Sequence, residues 1–347
     1  MLRRSKRTGE PAMMTRRFLL QYSILSLVFL TAVWLGAQSA RGAEAQLKSS
    51  VSATKIRLAV PSPSLSYLAI HVALQRGFFA RRGVDIEVIQ MAPSLAAPAL
   101  LNRAIDYTTV PSGPATAAAR GAPLKVICFA SVKLQHLLIS RPEIMTVTDL
   151  AGKRIGAGGF GTLPAYEVRV LIDRYRLGPG TIIVPLNSST DRLIGTQKGT
   201  IDAGIVPAPL DLRAEEMGLK RLLHMGTILP IPQAGLATTE EKLKTGRGEV
   251  IEVLKATIEG LDYAWNQREG TVGIIARWMN LNAWQAAKAY DSVKETFSKN
   301  GVPSEEQAKA YIAMLNATAG LKGDFAAASI FDFSAAAEAS KEMALKK

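Results

Sequence analysis

The sequence predicts an α/β protein with two units of alternating strands and helices, followed by a purely helical region. Short apolar runs alternate with amphipathic helical patterns over residues 55–130, and the same alternation restarts over residues 153–206. From residue 250 onward, apolar residues recur only at spacings of three and four. Alternating strands and helices imply mostly parallel sheets with helices on both faces.

The first unit follows the order βαβαβαβ. Its predicted strands span residues 55–60, 84–89, 106–110 and 124–130. Tyr67, Ile70, Ala73 and Leu74 indicate a first helix by their spacing, and Gly77 ends it. Two further helices are predicted over residues 96–103 and 115–120. This unit therefore has the order expected of an open sheet covered by helices.

The second unit repeats this order without repeating the sequence. Its predicted strands span residues 153–157, 182–185 and 203–206, with helices over residues 165–175 and 192–198. The helical region is predicted to contain residues 250–267, 272–279, 284–299 and 304–316, and residues 335–347 form a weaker helical tail. The chain thus contains two similar α/β units and a helical addition.

Composition is that of a globular chain of about two domains, at 347 residues. The single cysteine, Cys128, excludes an intramolecular disulfide framework and a multi-cysteine metal site, and its apolar surroundings predict a buried core residue. Three scattered histidines argue against a His-only metal site. The net charge is +13, yet no compact basic block is interleaved with aromatic residues. We therefore expect no metal, no cofactor and no nucleic-acid partner.

Residues 1–45 have the organisation of a secretory signal peptide. Basic residues precede an apolar run over residues 18–35, and the small-residue motif Ala43-Glu44-Ala45 follows. Cleavage after Ala45 would place the mature chain in the periplasm, and a start at Met13 or Met14 would leave the signal complete. The alternative is an uncleaved membrane anchor, although the run is short and polar for a spanning helix of about 20 residues.

Four loops are the candidate ligand contacts, because ligands of open parallel sheets lie beyond the carboxyl ends of the strands. Each follows a predicted strand and precedes a helix. They span residues 62–67, 111–114, 158–162 and 206–209. The glycine-rich loop before the helix at residue 165 has backbone N–H groups that suit an anion. Serines and glycines are also common in turns and caps, so each loop alone has a purely structural explanation.

Catalytic motifs are sparse. The glycine run over residues 158–161 is followed by neither a P-loop lysine nor a dinucleotide-binding pattern. Val110 and Pro114 stand where a nucleophile elbow around Ser112 would need glycines. His136 and His224 lie in apolar segments, and Asp202 precedes a strand as a cap would. Nothing in these residues requires an enzyme.

Four segments resemble the periplasmic substrate-binding proteins of ABC importers, in the branch that binds nitrate, alkanesulfonates, taurine and thiamine precursors. They are KIRLAVPSPSLS from Lys55, GFFARRGVDIEVI from Gly77, DLAGKRIGAGGFGT from Asp149 and GTIDAGIVPAP from Gly199. The resemblance implies a type II periplasmic-binding-protein fold, with two α/β lobes that close on a solute by a two-segment hinge. It places lobe one at residues 55–132 and 236–334, lobe two at 133–232, and a tail at 335–347. The crossings are expected near residues 131–135 and 233–237.

The resemblance also implies the ligand contacts, which lie in the four loops chosen above. They are Ser64, Leu65, Tyr67, Ser112, Gly113, Gly159, Phe160, Gly161, Thr162, Pro207 and Ala208. The cleft loops contain no Arg or Lys, so an anion would rely on N–H groups and hydroxyls. The cysteine-rich motif of the thiamine-precursor branch is absent, which argues against that ligand and against the related pyrimidine-forming enzyme. The ligand stays unassigned.

Our leading hypothesis is a monomeric, non-enzymatic receptor that delivers a small solute to ABC permease subunits powered by a cytoplasmic ATPase. One alternative is a relative of the pyrimidine-forming enzyme of this fold, which needs a cofactor lysine and a histidine in the cleft. Lys125, Lys133 and His136 are the nearest candidates. The other alternative is a membrane-anchored sensory or adaptor protein, which requires the N-terminal segment to stay uncleaved.

Overall fold

The computed structural model describes residues 55–61, 63–159, 161–186, 188–321 and 325–344. The predicted signal peptide lies outside these residues. Among the described residues, no helix is long and apolar enough to span a membrane. Residues Lys55–Lys347 form one compact unit.

The first sheet has five strands in the order β2-β1-β3-β10-β4. β1 pairs in parallel with β2 and β3, whereas β10 pairs antiparallel with β3 and β4. The strands are β1 (Ile56–Val60), β2 (Ile86–Gln90), β3 (Tyr107–Thr108), β4 (Leu124–Ser131) and β10 (Ala234–Thr239). The last strand therefore returns to this sheet after the strands of the second sheet.

The second sheet repeats this arrangement in the order β7-β6-β8-β5-β9. β6 is parallel to β7 and β8, and β5 is antiparallel to β8 and β9. The strands are β5 (His136–Ser140), β6 (Arg154–Ala157), β7 (Ile182–Pro185), β8 (Ala203–Pro207) and β9 (Lys220–His224). The chain crosses between the sheets after β4 and again between β9 and β10.

Helices follow most strands and then fill the C-terminal region. Those within the two α/β units are α1 (Leu68–Gln75), α2 (Phe78–Arg81), α3 (Pro93–Leu101), α4 (Ser112–Ala119), α5 (Leu163–Tyr175), α6 (Ser189–Lys198) and α7 (Leu210–Glu216). Those after β10 are α8 (Glu240–Thr245), α9 (Arg247–Asn266), α10 (Arg268–Met279), α11 (Ala283–Val293), α12 (Glu305–Ala319), α13 (Ala327–Ile330) and α14 (Ser334–Ala344).

Local sequence explains where several helices begin. Ser304 and Gln307 form a capping box at the start of α12, and Asn282 and Gln285 form one at the start of α11. α9 packs against α1 so closely that a Cβ at Gly260 would meet the backbone oxygen of Ala69. The C-terminal helices therefore pack directly on the first α/β unit.

The α/β class and the order of the two units are confirmed, with two differences in detail. The sheets are less parallel than expected, because each crossing reverses the chain and adds an antiparallel strand. Residues 233–237 were expected to form the second crossing, but β10 starts at Ala234, so the chain has re-entered the first sheet within that segment. The helix expected over residues 284–299 ends at Val293, and a short 3-10 turn follows. Cys128 is fully buried in β4.

Candidate functional site

A cavity of about 560 Å³ lies where the two sheets and α12 meet. Tyr67, Ser112 and Gly113 line it from the first unit, and Gly161 and Thr162 line it from the second. The structure therefore brings together five of the predicted contact residues, which come from three of the four predicted loops. A volume of this size is typical of small-molecule sites.

Of the other predicted contacts, those that the structure describes do not line this cavity. Ser64 caps the short turn before α1 by accepting from the Ser66 N–H, and Leu65 is fully buried. Pro207 ends β8. Ala208 is buried, and its N–H donates to the backbone oxygen of Gln135. Gly159 accepts from Thr162. Phe160 lies outside the described residues.

Two helix N-termini meet at the cavity, one from each α/β unit. α4 begins at Ser112, which was predicted to be in a loop, and Gly113 follows it in the first turn. α5 begins at Leu163, directly after Thr162. Since the N-terminus of a helix carries partial positive charge and unpaired N–H groups, this arrangement favours an anion.

Thr162 has a structural role in the turn. Its hydroxyl donates to the Gly159 oxygen at 2.7 Å and accepts from the Ala165 N–H at 3.4 Å. The hydroxyl proton is therefore already committed within the turn. The expectation that hydroxyls of this loop would donate to an anion does not fit Thr162 in this arrangement.

Glycine is required at position 161 by the local backbone conformation and by the neighbouring helix α12. Its φ is +80°, in the left-handed region, and an added Cβ would lie 2.8 Å from the backbone oxygen of Thr318 in α12. Glycine at this position therefore allows α12 to approach the turn that leads into α5.

Arg120 lines the cavity, although the loops were expected to carry no basic residue. It follows the last residue of α4, and its guanidinium donates to the Ala319 oxygen at the end of α12 over 3.1 Å. No local pattern predicts this placement, because Arg120 lies six residues beyond the loop over residues 111–114. The cavity thus contains a cation that can attract an anionic solute.

Tyr311 and Tyr67 add two phenol groups. Tyr311 in α12 is 1% exposed, and among the described residues its hydroxyl has no hydrogen-bond partner. Burial raises the pKa of Tyr311. Burial also raises the pKa of Tyr67, to about 12, although the hydrogen bond with Ser66 lowers that pKa by a smaller amount. Both hydroxyls therefore keep their protons at neutral pH.

A hydrogen-bonded chain lies behind the cavity. Gln233, which lines the cavity, accepts from the Gln135 N–H at its side-chain oxygen. Its amide nitrogen can then only donate, and it lies 3.1 Å from Nε2 of His136. Nδ1 of His136 therefore carries the proton and donates to Glu167 Oε1 at 2.7 Å. Glu167 is fully buried, so this series of hydrogen bonds connects the buried face of α5 to both crossings.

The candidate residues of the pyrimidine-forming alternative do not line the cavity. Lys125 donates to the backbone oxygens of Ala328 and Ser329, and Lys133 is exposed outside the cavity. His136 lies behind the cavity wall. Within the described part of the chain, no group of three or more His, Cys, Asp or Glu side chains is placed to hold a metal ion.

A family model described as NMT1/THI5 like matches residues 65–270. The comparison with curated proteins gives no match. This family model therefore covers more than half of the chain. It includes all of three predicted loops and part of the first.

Solved structures of the same fold include two binding proteins. The aliphatic sulphonate binding protein SsuA of Escherichia coli superposes with a TM-score of 0.64 at 19% identity, covering 76% of this chain and 85% of that chain. The nitrate-binding protein NrtA of Synechocystis PCC 6803 superposes with a TM-score of 0.65 at 12% identity, covering 84% and 89%. These likenesses confirm the predicted type II periplasmic-binding-protein fold.

An enzyme shares the fold as well. DszB in complex with biphenyl-2-sulfinic acid superposes with a TM-score of 0.66 at 12% identity, covering 83% of this chain and 99% of that chain. It is a desulfurization enzyme. The fold alone therefore does not distinguish a receptor from an enzyme. The residues that line the cavity have to make that distinction.

Proposed function

Because the chain belongs to the NMT1/THI5-like family, we propose that it is a periplasmic receptor that binds a small anionic solute and delivers it to an ABC importer. The observation that carries this proposal is the meeting of two helix N-termini with Arg120 at one cavity. Both helix termini and a guanidinium stabilise negative charge. The lining includes no acidic side chain among the described residues, so nothing there opposes an anion.

The solute class follows from the rest of the lining. Ala97, Val110, Met314 and Leu315 provide apolar lining beside the polar groups. A solute that fits has a compact anionic head and a short organic part, as in a small sulfonate or carboxylate. SsuA, NrtA and DszB are described with sulphonate, nitrate and a sulfinic acid, which agrees with an anionic head in this fold.

Hinge closure would bring the two units together on the solute. The connections between the sheets are short and few, as in proteins that close by a hinge. We propose residues 55–132 with 236–334 as one lobe and residues 133–232 as the other, and closure as the signal that the permease recognises.

We do not propose an enzymatic role for the cavity. Its described lining contains neither lysine nor histidine nor cysteine, whereas the pyrimidine-forming alternative needs a lysine and a histidine there. The receptor role requires only binding groups, and these are present.

A thermal-shift screen of the purified protein tests the proposal. The screen compares alkanesulfonates, carboxylates and nitrate with the uncharged sulfonamide and carboxamide of the same carbon skeleton. An anion at a hundredfold excess over its dissociation constant should add about 2.7 kcal/mol to the free energy of unfolding. The proposal fails if the uncharged partners stabilise the protein as much as the anions do, or if no compound raises the midpoint.

A further inference from the structure

A second cavity of about 360 Å³ lies beside α1, at the β2 edge of the first sheet. Ile70, His71 and Leu74 line it from α1, and Val88 lines it from β2. Among the described residues, only Tyr67 lines both this cavity and the one between the sheets. We call it the side cavity, and it extends away from Tyr67 along two turns of α1.

One wall of the side cavity is flat and aromatic. The imidazole of His71 stacks on the indole of Trp278 in α10, with ring centroids 3.9 Å apart and an angle of 10° between the planes. The helix α1 fixes one ring and α10 fixes the other, so the wall is preformed. A second planar ring can stack or pack edge-on against such a surface.

The remaining lining is uncharged. Val60, Ile70, Leu74 and Val88 are aliphatic, and the described lining includes no Lys, Arg, Asp or Glu. Burial lowers the pKa of His71 to about 4, so its ring is neutral at pH 7. A charged molecule would lose its hydration in the side cavity without gaining an ion pair, which costs free energy. An uncharged molecule does not carry this cost.

Few polar groups line the side cavity. Gln75 and Gln90 line the side cavity together with His71. These groups can donate to or accept from one substituent on a bound molecule. Val88 is 49% exposed, which leaves the cavity open to solvent on the β2 side.

We propose that the side cavity is a second binding site, for a small uncharged planar aromatic molecule with one hydrogen-bonding substituent. A largely apolar pocket with a few placed polar groups is the usual form of a small-molecule site. The site does not depend on the proposed receptor function, because it lies outside the cavity between the sheets and uses different chemistry.

Calorimetric titration with three matched probes tests this inference. The probes are 2-naphthol, its charged counterpart 2-naphthoate and its saturated counterpart decahydro-2-naphthol. We expect saturable one-to-one binding of 2-naphthol, and at least about tenfold weaker binding of the other two, because one is charged and the other is not planar. Absence of saturable 2-naphthol binding, or equal binding of all three probes, would overturn the inference.

Two variants place the binding event. Val88→Trp should fill the side cavity and abolish 2-naphthol binding. Ile182→Trp is its matched control, because Ile182 is 55% exposed on β7, the edge strand of the second sheet, and lines neither cavity. Unchanged 2-naphthol binding by a folded Val88→Trp protein would show that the probe binds elsewhere and would reject the site.

A third variant covers the case in which Val88→Trp does not fold. His71→Ala removes one ring of the flat wall without filling the space, and it should weaken 2-naphthol binding by about tenfold or more. Retention of full affinity in His71→Ala would equally reject the site. Circular dichroism of each variant establishes that the chain is folded before titration.

Discussion

The backbone N–H of Gln135 donates to the side-chain oxygen of Gln233 over 2.9 Å. Gln135 lies in the first connection between the sheets and Gln233 in the second, so this bond joins the two connections side by side. Gln135 also donates from its side chain to Thr296 Oγ1 over 2.8 Å. The place where the two units would pivot is therefore held by side-chain amides rather than by packing alone.

Gln233→Leu should lower the free energy of unfolding by about 2 kcal/mol, because a largely buried N–H loses its acceptor. It should also weaken solute binding, since Gln233 lines the cavity. Urea denaturation measures the first effect. Gln197→Leu is the control, because Gln197 is exposed on α6, and it should change stability by less than about 0.5 kcal/mol. Equal stability of the two variants would contradict a role for Gln233 at the pivot.

Glu167 should act mainly as the acceptor that fixes His136. Glu167→Ala removes this acceptor from a fully buried position and leaves a cavity, so we expect a loss of about 2–4 kcal/mol in the free energy of unfolding. Glu167→Gln keeps a carbonyl oxygen at the same place and should recover most of the loss. Equal instability of Glu167→Gln and Glu167→Ala would contradict this role. The larger contribution of Glu167 would then be to compensate the charge of the nearby Arg192 guanidinium.

Gly161→Ala should destabilise the protein more than Gly178→Ala. Both glycines have φ near +80°, so each substitution carries the left-handed cost of about 1–2 kcal/mol. Only at Gly161 would the new Cβ also meet the Thr318 oxygen, whereas at Gly178 nothing lies within 4 Å. Thermal unfolding of the two variants gives the difference. Equal losses would show that α12 does not need to approach this turn.

His71 should make the protein less stable as the pH falls. Its pKa is lowered by burial from 6.5 to about 4, so between these values the unfolded chain binds a proton that the folded chain does not. The free energy of unfolding therefore falls as the pH decreases from about 6.5 to 4. His71→Phe keeps a ring against Trp278 and removes the titration, so its stability should fall less steeply. A pH dependence identical to that of the parent protein would contradict the low pKa.

The sequence predicted the elements whose signal is local. The runs over residues 55–60 and 203–206 are strands within one residue at either end, because buried strands of an open sheet are short apolar runs between turns. The run over residues 182–185 is also a strand, although it lies at the edge of its sheet and is partly exposed. The strands β5, β9 and β10 were missed. Each has antiparallel partners, and no separate helix or turn in the sequence marks it.

The candidate site was predicted only in part, for a different reason. Tyr67, Ser112, Gly113, Gly161 and Thr162 follow from the rule that ligands lie beyond the strand ends. Arg120, Gln233 and Tyr311 reach the same cavity from a helix end, a crossing and the C-terminal region. Their meeting depends on contacts between segments that are distant in the sequence, which no local pattern encodes. Thr162 shows the converse, since its predicted hydroxyl serves the turn itself.

Calorimetric titration of the tightest-binding anion against Thr116→Trp and Thr190→Trp tests the central claim most directly. Thr116 is half-buried on α4 and lines the cavity between the sheets, whereas Thr190 is exposed on α6. The account predicts one-to-one binding to the parent and to Thr190→Trp, and at least about a hundredfold loss in Thr116→Trp because the indole fills the site. Unchanged affinity in a folded Thr116→Trp protein would show that the anion binds elsewhere and would contradict the account.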